Sequence, residues 1–201
     1  MSILRSIFYI GVAISISGCA SGPRVQDTYH LGGKPLTNKP VQVKVQLGHA
    51  RSILDAAFSP GGSLAVSASL DGLLKLWDLA NGYEVRSYIG HTGAVLAVDV
   101  SADTKRIISA SDDTTLRLWD LNTGRSIRTI QGHRDAVSDV AFVPGTHQIV
   151  SSSWDQTLRL WDSRDGRLKE EMRGHEAPVY TLDISPNGDL IASGDKRGTI
   201  A

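Results

Sequence analysis

Beyond residue 40 the chain falls into short apolar runs cut by turn residues. "AVLAVDV" (94–100) alternates and ends at the turn "SADT". "RIISAS" (106–111) is rich in β-branched side chains and ends at "DDT". "LRLWD" (116–120) follows, then the turn "NTG", then "RSIRTI" (125–130). Period-two patterning bounded by Gly, Asn, Asp and Pro predicts four antiparallel strands joined by tight turns. Matching turns recur in the flanking stretches: "SPGG", "VPGT" and "SPNG" after the first strand, "ANG" and "RDG" before the last. "VQVKVQL" (41–47) predicts a lone strand ahead of the first group. A four-stranded sheet of this kind is apolar on both faces and must stack on its neighbours to bury them.

Two dipeptides keep strict register. Gly-His stands at Gly48-His49, Gly90-His91, Gly132-His133 and Gly174-His175, each pair 42 residues after the last. Trp-Asp stands at Trp77-Asp78, Trp119-Asp120 and Trp161-Asp162 in the same step. Residues 41–201 thereby resemble the WD-repeat β-propeller family. The resemblance implies an all-β fold of four-stranded antiparallel blades, three complete and a fourth cut inside its third strand at "GTIA". Family rings are mostly seven-bladed, so the expectation is a fragment of a larger ring. Assembly of two copies into one ring, and a true four-bladed protein, stay open as alternatives.

The same register aligns serine, histidine, aspartate and tryptophan in each repeat: His49, Ser67, Asp71, Trp77; His91, Ser109, Asp113, Trp119; His133, Ser151, Asp155, Trp161. Ser, His and Asp together invite a hydrolase reading. A nucleophile is needed once, whereas a structural device is needed in every blade, so no catalytic residue is assigned. In the family these residues form a hydrogen-bonded chain from the aspartate to the indole N–H, which fixes the loop before each blade. The fourth repeat keeps His175 and Ser193 but has Arg197 where the aspartate belongs. Asp195, two residues earlier, leaves its network open. "HRD" at 133–135 lacks the companion motifs of a kinase. No metal-ligand spacing and no phosphate loop appear, and no cofactor is expected.

The N-terminus reads differently. Arg5 precedes a mostly apolar run, Ile7 to Ile16, too short to span a bilayer but suited to a signal-peptide core. Ile16-Ser17-Gly18-Cys19 then resembles the lipobox of bacterial lipoproteins. The resemblance implies a signal peptide over 1–18, diacylglycerol on the Cys19 sulfur, and a membrane-held mature protein. An ordinary secretory signal with a chance cysteine is the alternative. Ala20 after the cysteine points to the outer membrane in a Gram-negative envelope. Residues 19–40 read as the lipidated cysteine and a Gly/Pro-rich tether with a reach of about 25 Å.

Composition narrows the partners. With 21 basic and 21 acidic side chains in 201 residues and no basic run, nothing marks a nucleic-acid surface. Cys19 is the sole cysteine, so no intrachain disulfide forms. Propellers of the family mostly bind proteins on the face bearing the loops before the first strand and between the second and third. Carried over by register, that face holds Leu54, Leu70, Leu96, Asp112, Ser138, Trp154 and Tyr180, with Trp154 the one tryptophan outside a Trp-Asp pair. Leu54 and Leu96 read equally as packing between blades. The expected function is a protein-interaction scaffold; the alternative is the sensory or substrate-presenting part of a longer enzyme.

Overall fold

The computed structural model describes residues 48–201, so the leader expected at 1–18, Cys19, the tether expected at 19–40 and the strand expected at 41–47 lie outside the described residues. Three four-stranded antiparallel sheets and one two-stranded sheet follow each other along the chain. The first sheet comprises β1 (Ile53–Phe58), β2 (Leu64–Ser69), β3 (Leu74–Asp78) and β4 (Tyr83–Tyr88). The second holds β5 (Val95–Val100), β6 (Arg106–Ser111), β7 (Leu116–Asp120) and β8 (Ser126–Ile130). The third holds β9 (Val137–Phe142), β10 (Gln148–Ser153), β11 (Leu158–Asp162) and β12 (Leu168–Met172). The fourth pairs β13 (Val179–Ile184) with β14 (Ile191–Asp195). Each sheet is a meander, so every pairing is a local hairpin. Ile200 makes an isolated antiparallel bridge back to Gly194.

Sheets stack face to face in chain order. Val66, Leu74, Tyr88, Val98, Ile107 and Trp119 form one core between the first two blades. Ile108, Leu116, Val140, Ile149 and Trp161 form the next, and Val150, Leu158, Val179 and Leu182 the third. Both faces of a middle blade are thus covered, which is why all of β6 except Arg106 is buried although its sequence does not alternate. Burying one such Ile or Leu contributes about 1.5–3 kcal/mol.

Carboxylates also bind each blade to the next. Asp55 Oδ2 accepts the Val98 N–H at 2.9 Å, Asp99 Oδ2 the Phe142 N–H at 2.8 Å, and Asp139 Oδ2 the Leu182 N–H at 2.9 Å. Asp139 also accepts from Thr181 Oγ1 at 3.1 Å. Burial, opposed by these donors and reinforced by the charge of Asp55, pushes the Asp139 carboxyl up to about 6.

Candidate functional site

The aligned polar residues meet within each blade. Asp71 accepts from His49 Nδ1 at 2.9 Å (Oδ2), Ser67 Oγ lies 2.8 Å from His49 Nε2, and Trp77 Nε1–H donates to the same Oγ at 2.8 Å. The second blade repeats this with His91–Asp113 at 2.8 Å, His91–Ser109 at 2.8 Å and Trp119–Ser109 at 2.9 Å. In the third the distances are 2.8, 2.7 and 2.8 Å for His133–Asp155, His133–Ser151 and Trp161–Ser151. A carboxylate at Nδ1 calls for an Nδ1–H, and in the neutral ring that carries it Nε2 accepts from serine while the serine accepts from indole. Ser109 and Ser151 are fully buried, and their hydroxyls are occupied on both sides. They offer no approach for a substrate carbonyl.

The aspartates do more than orient histidine. Asp113 Oδ2 takes the Thr92 N–H at 3.0 Å and its Oδ1 the Thr115 N–H at 3.0 Å, joining the loop before the blade to its own hairpin turn. Burial would push the Asp113 carboxyl up, but the Thr115 and Thr92 donors and His91 outweigh it and hold it at about 2. Burial lowers the His91 imidazole, Asp113 opposes this, and the charge of Arg117 adds to the lowering. The glycines of the first three Gly-His pairs have a steric reason, which Gly174, with open space around it, lacks. A Cβ on Gly48 would come within 2.5 Å of the Trp77 ring, on Gly90 within 3.0 Å of Trp119, and on Gly132 within 2.8 Å of Trp161.

In the fourth blade Asp195 substitutes for the missing turn aspartate. Its Oδ2 lies 3.0 Å from His175 Nδ1, and Ser193 Oγ lies 2.8 Å from His175 Nε2. Asp195 Oδ1 accepts from the Arg197 and Thr199 amides, both at 2.9 Å. In the third blade those two tasks are divided between Ser153 Oγ, which takes the Asp155 N–H at 3.1 Å, and Asp155 Oδ1, which takes that of Thr157 at 3.1 Å. Arg197 itself turns outward to Glu176 at 3.3 Å.

The residues expected on the partner face sit on braced hairpins. The Leu70, Asp112, Trp154 and Lys196 amides donate to Ser52, Ala94, Ala136 and Pro178 carbonyls at 2.9–3.0 Å. Trp154, 38% exposed, meets Tyr180, 45% exposed, edge to face across the third seam with ring centroids 6.0 Å apart. Leu54 and Leu70 are 45% and 40% exposed, Asp112 is exposed, and Leu96 is half-buried. Ser138 is also half-buried, and its Oγ donates to the Val179 carbonyl at 2.6 Å, so it serves the seam. Beside Leu70 a cavity of about 390 Å³ is lined by Arg51, Asp71, Gly72, His91, Thr92, Gly93 and Ala94. Among the described residues no group of three His, Cys, Asp or Glu is placed to hold a metal ion. The seam aspartates Asp55, Asp99 and Asp139 were not foreseen from sequence; the only signal is an aspartate inside an otherwise apolar first strand.

Comparison with known proteins gives one family. A family model described as "WD domain, G-beta repeat" matches residues 40–78, 82–120, 124–162 and 166–201, well over half of the chain. No curated protein matches.

Proposed function

Because the chain belongs to the WD domain, G-beta repeat family, we propose that it is a lipid-anchored scaffold of the bacterial cell envelope whose propeller face holds other proteins. WD repeats make protein-interaction propellers, and the supporting observation for the face is the exposed Trp154–Tyr180 pair. Large aromatics on a braced hairpin bury much area at low entropic cost, the usual make-up of an interface anchor. Leu54 and Leu70 extend the apolar ground, and the cavity beside Leu70 gives it a concave floor. For the anchor the support is the order of Arg5, the short apolar run and Ile16-Ser17-Gly18-Cys19. Diacylglycerol on Cys19 with a further acyl chain on its amine gives firm attachment, since each buried methylene contributes about 0.8 kcal/mol. Ala20 favours sorting to the outer membrane.

Two measurements test this. A photo-crosslinking side chain at position 154 forms protein adducts in whole cells that are absent when it stands at Leu190, exposed on the turn between β13 and β14; identical adducts from both positions reject the face. Labelled palmitate is incorporated by the parent and not by Cys19→Ser, and label retained by that variant rejects the anchor.

A further inference from the structure

The three complete blades carry a cation at one register of the third strand: Lys75 on β3, Arg117 on β7 and Arg159 on β11. Two of these meet an acid on the neighbouring fourth strand. Lys75 Nζ lies 2.6 Å from Glu84 Oε2, and Arg159 Nη2 lies 2.8 Å from Glu171 Oε2. In the second blade the positions matching Glu84 and Glu171 hold Ser126 and Thr129, both exposed. Thr129 is the direct cross-strand neighbour of Arg117, as Glu171 is of Arg159. Among the described residues Arg117 has no carboxylate within ion-pair distance. Its guanidinium lies 5.8 Å from the centroid of the Trp119 ring. A half-buried guanidinium left without its counterion is costly, and its planar fork matches a carboxylate.

We propose that Arg117, flanked by Ser126 and Thr129 at the outer mouth of the seam between the first two blades, receives an acidic side chain of a partner protein lying along β8. This rim site is separate from the Trp154 face and does not depend on it. A protein carboxylate is the fitting occupant for two reasons. The sister positions are filled by glutamates presented from a strand, at 2.6 and 2.8 Å. Moreover, β8 is the edge of its sheet, so its outer backbone groups can register an added strand. Segment 125–130, "RSIRTI", brings two arginines and no acid to that edge, which complements a negative partner.

The probe is a fluorescein-labelled peptide with the sequence of this chain's own β12, LKEEM, titrated against the full-length protein at fixed ionic strength. The parent is expected to bind it at least tenfold more tightly than Arg117→Gln, and tenfold more tightly than it binds the peptide with glutamine in place of the Glu171 equivalent. Thr129→Glu, which supplies the carboxylate from within, is expected to block the peptide, raise the melting temperature and shift the His91 titration upward. Sodium acetate at the concentration of the bound peptide is expected not to displace it. The proposal is overturned if the parent does not bind the peptide, or if Thr129→Glu binds it as the parent does and melts no higher. Displacement by equimolar acetate would overturn it too, because the site would then take a free anion.

Discussion

Ser151 Oγ is the point where two buried groups of the third blade meet, giving its proton to His133 Nε2 and accepting that of Trp161 Nε1. Ser151→Ala leaves an imidazole nitrogen and an indole N–H without partners in a dry interior, and each orphan costs about 1–3 kcal/mol. The variant is therefore expected to lose roughly 3 kcal/mol in denaturant melts. Ser193→Ala orphans only His175 among the described residues and should lose about half as much. Equal losses would count against the shared hydroxyl as the reason. The resemblance to WD repeats implied the three complete networks, and the 42-residue step, which never slips, said which residues form them. The fourth was not. Asp195 stands in the slot of Ser153, and spacing cannot reveal that a carboxylate there reaches past the serine position to His175 while its other oxygen covers two turn amides.

At the level of hairpins, the turn between second and third strands shows where local sequence and geometry conflict. Residues 72, 114, 156 and 198 share one register and one left-handed conformation, with φ of 82°, 67°, 72° and 84°. Glycine fills the first and last, but Thr114 is β-branched and strained there by about 1–2 kcal/mol. Glycine would give back part of that gain through its greater freedom in the unfolded chain, about 0.5–1 kcal/mol. Thr114→Gly is accordingly expected to stabilise by roughly 0.5 kcal/mol, read as a higher denaturation midpoint with an unchanged slope; a lower midpoint would mean the threonine makes a contact that outweighs its strain. Hairpins were legible because their strands are short, their partners adjacent and their turn residues distinctive. The seam aspartates escaped notice for the opposite reason. In an alternating strand an aspartate reads as solvent-facing, and only stacking shows that Asp99 points at the Phe142 amide of the next blade.

Across the whole arc of blades, two sets of carboxylates respond to pH in opposite directions. Asp113 and Asp195, held at about 2, contribute stability that is full above the ordinary carboxylate range and lost as pH falls toward 2. His91 acts with the same sign at higher pH: it is buried neutral, so stability falls once the unfolded chain takes up its proton below about 6.5. Asp139 has the reverse sign. Its carboxyl is raised to about 6, so its contribution is full below the unfolded value near 3.8 and is lost as pH rises through 6. Between pH 6.5 and 4 the two effects oppose each other, and the parent's melting temperature is expected to fall less than it would from His91 alone. An asparagine in place of Asp139 would keep an acceptor for the Leu182 N–H and carry no charge, but would turn its NH2 toward the Val140 N–H that Oδ1 now accepts, which takes back part of the gain. Asp139→Asn should thus be more stable than the parent at pH 7, by about 1 kcal/mol, and should lose stability steadily from 6.5 to 4. Melting curves collected from pH 8 to pH 4 decide it. Parallel profiles for the two proteins would mean that the seam carboxylate stays charged throughout, and that blade-to-blade stacking is held by apolar contact and amide donors without a titrating member.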